Sequence, residues 1–198
     1  MLSNRLGNRL FLVYFRHALL VIAKVFDCFI FYKCYNLVME TRYNIFDELQ
    51  LKPLPQWSEL PELDLYLDQV LFYVNKVSQT SVDRDTKGIT ASMVNNYVKH
   101  GQLEKPIKKK YQRSQVARLI AIAFLKNVFS LQEIGEMLDA LRQDYESEDL
   151  YNRFVHCMNG TSTDVPDVIS HACLTIKSYY QTRLLMLAQG EKSHESNL

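Results

Sequence analysis

Apolar residues recur at intervals of three and four along most of the chain after residue 61, which is the pattern of helices that bury one face. The pattern predicts six helices, over 62–79, 90–101, 114–127, 130–141, 144–159 and 167–189. Thr90, Ser114 and Ser130 stand where N-caps are expected, Glu133 would complete a capping box with Ser130, and Gly101 would end the second helix. The fold class is therefore predicted to be mainly α.

The chain before the first predicted helix has a different character. Three prolines within 53–61 exclude a long helix there, and Trp57 is expected to anchor an extended segment onto the body of the fold. A polar linker follows the helix over 80–88. We therefore assign 39–88 to an N-terminal extended segment and helix, and 142–198 to C-terminal helices.

The first 38 residues are strongly apolar and are assigned to a separate leader, 1–38. Charges at Arg16, Lys24 and Asp27 interrupt it before any uncharged run reaches the ~18 residues that a membrane-spanning helix needs. These charges would share one side of a helix, so association with a membrane surface stays open as a weaker alternative. The interpretation that we favour is that translation begins at Met39, that the leader is not part of the native fold, and that no membrane is a partner.

Charge is strongly segregated, although the net charge of the 198 residues is only +1. A single acid, Glu104, lies between positions 99 and 113. The same stretch contains six basic residues: Lys99, Lys105, Lys108, Lys109, Lys110 and Arg113. A basic face made in this way attracts polyanions or acidic partners, whereas the overall charge would not.

The cysteines and the missing catalytic motifs limit the chemistry that we expect. No two of the four cysteines, at 28, 34, 157 and 173, have CxxC spacing, which favours reduced thiols in a cytoplasmic protein. His156 with Cys157, and His171 with Cys173, would point in different directions on helices, so we expect no metal site. The chain has no Gly-rich phosphate loop, nucleophile elbow or HExxH motif. We expect no enzyme, no catalytic residues and no cofactor.

The helix predicted over 90–101 has a polar face suited to DNA. Its buried stripe would consist of Met93, Val94, Tyr97 and Val98. This leaves on the outer face Ser92, Asn95, Asn96, Lys99 and His100. Asparagine can pair with adenine in the major groove, and lysine or protonated histidine can contact guanine or phosphate. After this helix, a short basic hairpin would add phosphate contacts through Lys108, Lys109, Lys110 and Arg113.

These residues also carry a resemblance to known families. The segments "MVNNYVKHGQL", "KKYQRSQVARL" and "AFLKNVFSLQEIGEML" are similar to the MerR-type winged helix-turn-helix. Tyr97 corresponds to the aromatic of its recognition helix, and Gly101 and Leu103 to the end of that helix. The core at 90–99 and the Lys-Lys-Tyr that follows resemble still more closely a bacterial family of unknown function, common in Firmicutes, domain of unknown function 1836.

The resemblance implies a MerR-like winged helix-turn-helix over 89–141, with additional N- and C-terminal helices. It implies a transcription regulator that binds double-stranded DNA and forms a homodimer through a C-terminal helix. The same helix could equally pack back onto its own domain as core. An alternative from another class is a non-enzymatic protein–protein interaction domain that binds an acidic partner through the same basic face.

Overall fold

Helices dominate the part of the chain that the computed structural model describes, which is residues 51–80, 88–162 and 164–195. The elements in chain order are a single turn of 3-10 helix (Trp57–Glu59), β1 (Leu65–Tyr66), α1 (Leu67–Ser78), α2 (Ala91–Lys99), β2 (Lys110–Tyr111), α3 (Arg113–Leu125), α4 (Leu131–Leu141), α5 (Ser147–Asn159) and α6 (Asp167–Glu195). The predicted mainly α class is confirmed for these residues. The leader 1–38 and the start of the N-terminal segment lie outside them.

Helix α3 lies at the centre of the core. Apart from Arg118, every side chain from Val116 to Leu125 is buried. The helix packs against α1, α5 and α6. A helix that is apolar on nearly all sides cannot lie at the surface, so the sequence of α3 itself places it in the middle of the bundle.

Capping explains which helix boundaries were predicted correctly. The Met93 N–H donates to Thr90 Oγ at 3.3 Å, and Gly101 ends α2 with a φ of 77°. The Glu133 N–H donates to Ser130 Oγ, while the Ser130 N–H donates to the Glu133 carboxylate at 2.7 Å, so the predicted capping box is confirmed.

The prediction that Ser114 caps α3 is wrong. This helix begins at Arg113, and Gln112 is its N-cap. The Gln115 side chain sets the boundary: its Oε1 accepts from the Gln112 N–H at 2.7 Å, and its Nε2 donates to the Glu104 carbonyl at 2.8 Å. Gln115 is almost fully buried, so both bonds replace contacts with water that the side chain has lost.

The start of α1 also differs from the prediction. Residues 62–64 are not helical, and Leu65 and Tyr66 form a strand that pairs antiparallel with Tyr111 and Lys110. The strand satisfies backbone groups that the first turn of a longer helix would have left without partners. Of the acids expected in the first turn, only Asp68 is there.

The proline-rich segment packs along α5. The Leu54 N–H and carbonyl both bond the Asn159 side chain, at 2.9 and 3.0 Å. The Trp57 ring lies 6.2 Å from the Tyr151 ring. Trp57 therefore anchors this segment as predicted, but it does so from a turn of 3-10 helix within the otherwise extended chain.

Helix α6 divides into two parts. Its first part buries Ile169, Cys173, Ile176 and Tyr180, and it packs against α5 and α3. Beyond this part three successive apolar side chains, Leu185, Met186 and Leu187, are half or more exposed. Neither α6 nor any other helix in the described ranges combines the length and apolarity needed to cross a membrane.

Candidate nucleic-acid interface

The entry to α2 is fixed on α1 by one side chain. Asn75 accepts from the Ile89 N–H at 2.7 Å and donates to the Ile89 carbonyl at 3.0 Å. Gly88 allows this close approach, since a Cβ there would lie 2.3 Å from the Asn75 Oδ1 atom. Ile89 is followed directly by Thr90, the N-cap of α2. Asn75 thus determines where the helix starts relative to α1, and the sequence pattern gave no signal for it.

The inner face of α2 follows the predicted stripe. Val94 and Tyr97 are buried, and Met93 and Val98 are half-buried. Burial raises the pKa of Tyr97, and it raises the pKa of the buried Tyr111 in β2 in the same way. Both tyrosines therefore contribute to the core, and neither ring is exposed for stacking on a base.

The outer face of α2 is polar and accessible. The five residues predicted to lie there are all exposed: Ser92, Asn95, Asn96, Lys99 and His100. Asn95, Asn96 and Lys99 line an open groove together with Lys126 and the start of α4 at Ser130. Lys126 was not among the predicted site residues, because it follows a buried helix and only the fold brings it to the groove.

The predicted basic hairpin is a tight turn with two lysines at its tip. The Ile107 N–H donates to the Lys110 carbonyl at 3.0 Å, and the Lys110 N–H donates to the Ile107 carbonyl at 2.9 Å. Lys108 and Lys109 have φ values of 50° and 66°. Two successive positive φ angles are typical of a type I′ turn, which usually contains Asn-Gly. For other residues the left-handed conformation costs about 1–2 kcal/mol each.

Lys110 and Arg113 are placed differently from the lysines of the tip. The ammonium of Lys110 lies over the Tyr66 ring, 5.1 Å from its centroid. The Arg113 guanidinium lies 5.9 Å from the Trp57 ring centroid and 3.5 Å from the Glu62 carboxylate. These two cations contact the N-terminal segment, whereas the side chains of Lys108 and Lys109 are exposed.

The single acid of the basic stretch is paired elsewhere. The Glu104 carboxylate accepts from Arg142 at 2.7 Å. All five lysines of the stretch, Lys99, Lys105, Lys108, Lys109 and Lys110, have no carboxylate partner within ion-pair distance among the described residues. The described acids therefore pair with Arg113 of this stretch but with none of its lysines.

Comparison with known proteins assigns the chain to a family. The family model described as "Domain of unknown function (DUF1836)" matches residues 55–154, which is half of the chain. The chain belongs to the DUF1836 family. The match runs from the proline-rich segment into α5. It includes all of α2 and the turn with Lys108 and Lys109 at its tip, called the lysine turn below. No curated protein and no solved structure matches the chain.

The described part of the DUF1836 chain offers little chemistry for metal binding. No three His, Cys, Asp or Glu side chains lie together in a metal-binding arrangement within 51–80, 88–162 and 164–189. His156 contacts Thr161 Oγ through its Nδ1 at 2.8 Å. Cys157 and Cys173 are free thiols, and hydrogen bonding to Cys173 lowers the pKa of Cys157 to about 7. The other two cysteines lie outside the described residues.

Proposed function

We propose that this DUF1836 protein is a non-enzymatic cytoplasmic regulator of transcription that binds double-stranded DNA through a MerR-like winged helix-turn-helix. In this proposal the winged helix-turn-helix spans 89–141, α2 is its recognition helix, and the Lys108–Lys109 turn is its wing. The observation that carries the proposal is the pairing of Glu104 with Arg142, which leaves the five lysines between 99 and 110 without a described carboxylate partner. Unpaired cations beside exposed asparagines suit a partner that has both phosphates and base edges.

The connectivity supports the same proposal. The strand that leads into α1 pairs with the strand that leaves the lysine turn, through Leu65 with Tyr111 and Tyr66 with Lys110. Because Tyr111 is buried and β2 continues into α3, the base of the turn is tied to the core. A wing that is held in this way presents its cations without a further loss of backbone freedom on binding.

We assign separate roles to the two sets of side chains. Asn95, Asn96 and Lys99 would face the major groove, where asparagine discriminates adenine through two hydrogen bonds. Lys108 and Lys109 would contact phosphates and so set the register of the protein on the duplex. Lys110 and Arg113, for which the sequence predicts phosphate contacts, would mainly hold the turn on the N-terminal segment.

The exposed end of α6 supports a homodimer. Leu185, Met186 and Leu187 are 54%, 66% and 51% exposed. A second copy of the same helix would cover these side chains symmetrically. The first part of α6 is core of its own domain, and the dimer alternative would apply only to its exposed end. A dimer would read two half-sites with two copies of α2.

Selection of bound sequences from a random duplex pool tests the function. We expect one enriched site, with two related halves if the protein is dimeric. An Asn95→Ala/Asn96→Ala variant should no longer enrich that site. It should remain folded, because both side chains are exposed. If the wild-type protein retains no duplex above background, the proposal is wrong, and the alternative of an acidic protein partner would take its place.

A further inference from the structure

Two free cysteines, Cys157 of α5 and Cys173 of α6, meet where these helices pack together. The Lys177 ammonium of α6 donates to the Cys157 carbonyl at 2.9 Å, which fixes the face of α6 that is turned toward the end of α5. Cys173 lies four residues before Lys177, and therefore on the same face. The two thiols are hydrogen-bonded to each other. The packing of α5 and α6 thus brings together two cysteines that the sequence places on different helices.

The two thiols differ in their surroundings. Cys157 is partly exposed, whereas Cys173 is only 1% exposed. The hydrogen bond from Cys173 lowers the pKa of Cys157, and the Lys177 ammonium also lowers it. The same hydrogen bond and burial raise the pKa of Cys173, so Cys173 keeps its proton. Cys157 is therefore the sulfur that can ionise and meet a reagent from solvent.

A metal ion does not suit this pair of thiols. A structural zinc ion takes four ligands from cysteine, histidine or carboxylate side chains. Within the described ranges, no third His, Cys, Asp or Glu side chain joins the two cysteines in a metal-binding arrangement. Two adjacent thiols without further ligands are instead suited to forming a bond with each other.

We propose that Cys157 and Cys173 are a reversible oxidation site, at which a hydroperoxide converts the two thiols into a disulfide between α5 and α6. A cytoplasmic disulfide of this kind is transient, and exchange with another dithiol returns both cysteines to thiols. The inference goes beyond DNA binding and does not depend on it.

The reaction has two steps. In the first, the Cys157 thiolate attacks one peroxide oxygen, the O–O bond breaks, Cys157 becomes a sulfenic acid, and the other oxygen leaves as hydroxide, which solvent protonates. In the second, the Cys173 sulfur attacks the Cys157 sulfur, an S–S bond forms, and the S–O bond breaks. The departing hydroxide takes the Cys173 proton and leaves as water. Two thiols and one hydrogen peroxide thus give one disulfide and two water molecules.

Oxidation of the folded full chain by hydrogen peroxide, followed by alkylation and mass spectrometry, tests the proposal. Trypsin leaves both cysteines on one peptide, 154–177, because no Lys or Arg lies between Arg153 and Lys177. The proposed disulfide gives this peptide without alkyl groups and lighter by two hydrogens than the reduced form. Dithiothreitol should restore both alkylation sites.

Two variants separate the roles of the cysteines. In Cys173→Ala the oxidised Cys157 has no partner, so dimedone should label it as a sulfenic acid. In Cys157→Ala the buried Cys173 should react with peroxide at least about tenfold more slowly than Cys157 does in the wild type. Thermal unfolding of each reduced variant checks that it is folded, and the wild-type result stands without them.

At pH 7 we expect the folded wild-type chain to form the disulfide about tenfold faster than the chain unfolded in urea, because only the fold provides the reactive thiolate. Equal rates in buffer and in urea would overturn the proposal. So would a peroxide-treated chain in which both cysteines still react with the alkylating reagent. Conversion of Cys157 to a sulfinic acid while Cys173 stays free, or a disulfide that joins two chains, would overturn it as well.

Discussion

Asn75 and Ile89 are joined by two hydrogen bonds, one from the Ile89 N–H to Asn75 Oδ1 and one from Asn75 Nδ2 to the Ile89 carbonyl. Ile89 is only 2% exposed, so its backbone groups have little access to water. One amide side chain of α1 therefore satisfies both polar groups of the residue that precedes the N-cap of α2. The position of the outer face of α2 depends on this contact.

Replacement of Asn75 should destabilise the protein. Asn75→Ala leaves the Ile89 N–H and carbonyl buried without partners, and an unsatisfied buried group costs about 1–3 kcal/mol. We expect the free energy of unfolding in urea to fall by about 2 kcal/mol or more. Asn95→Ala, at an exposed position of α2, is the matched control and should stay within about 0.5 kcal/mol of wild type. Equal stabilities of the two variants would contradict the role of Asn75.

Stability should decrease at alkaline pH. Burial raises the pKa of Tyr97, Tyr111 and Tyr151 above 10, so in this range the folded chain holds protons that the unfolded chain has lost. The stabilisation is complete below pH 10 and is lost as the pH rises through the folded-state values. Urea unfolding at successive pH values above 9 should show this decline, and Tyr151→Phe should make it shallower. A free energy of unfolding that stays constant across this range would be inconsistent with three buried phenols.

Substitution of the two lysines of the lysine turn should raise stability and weaken DNA binding. Lys108→Asn/Lys109→Gly introduces the residues that a type I′ turn favours, and it should raise the free energy of unfolding by about 1–2 kcal/mol. The same variant loses two charges and should bind every duplex more weakly. Urea unfolding and duplex titration of one preparation measure both effects. A variant that is less stable than wild type would show that the turn is not strained.

Whether a feature of the fold could be predicted from the sequence depends on how far apart along the chain the contacting residues lie. Helices α2 and α4 began where predicted because their caps join residues three apart, as in Thr90 with Met93. The pairing of Glu104 with Arg142 spans 38 positions, and the antiparallel pairing that delays α1 joins Leu65 to Tyr111. Such contacts depend on how the helices and strands pack, and no local sequence pattern predicts them.

The same distinction applies within the candidate interface. Helical periodicity placed Asn95, Asn96 and Lys99 on an exposed face, since a period of 3.6 residues is a local property. It could not show that Arg113 turns back toward Trp57, or that Lys126 joins the groove beside α2.

The exposed end of α6 should mediate self-association. Leu185→Glu/Met186→Glu/Leu187→Glu places like charges where a second copy would pack, so light scattering should report a monomer for the variant and a dimer for the wild type. The thermal unfolding of the monomeric variant at low concentration should match that of wild type, because these side chains are exposed. A wild-type chain that remains monomeric at all concentrations would rule out this dimer.

The most direct test of DNA recognition is the salt dependence of binding to the selected duplex. Each phosphate contact contributes about 0.9 to the slope of log affinity against log salt, so Lys108→Ala/Lys109→Ala should lower that slope by about 2. Lys108→Arg/Lys109→Arg keeps both charges and should keep the slope, which separates charge from side-chain identity. If the slope decreases for the alanine variant but not for the arginine variant, the lysine turn contacts phosphates as proposed. An alanine variant with the wild-type slope would contradict the assignment of the turn as a DNA-binding wing.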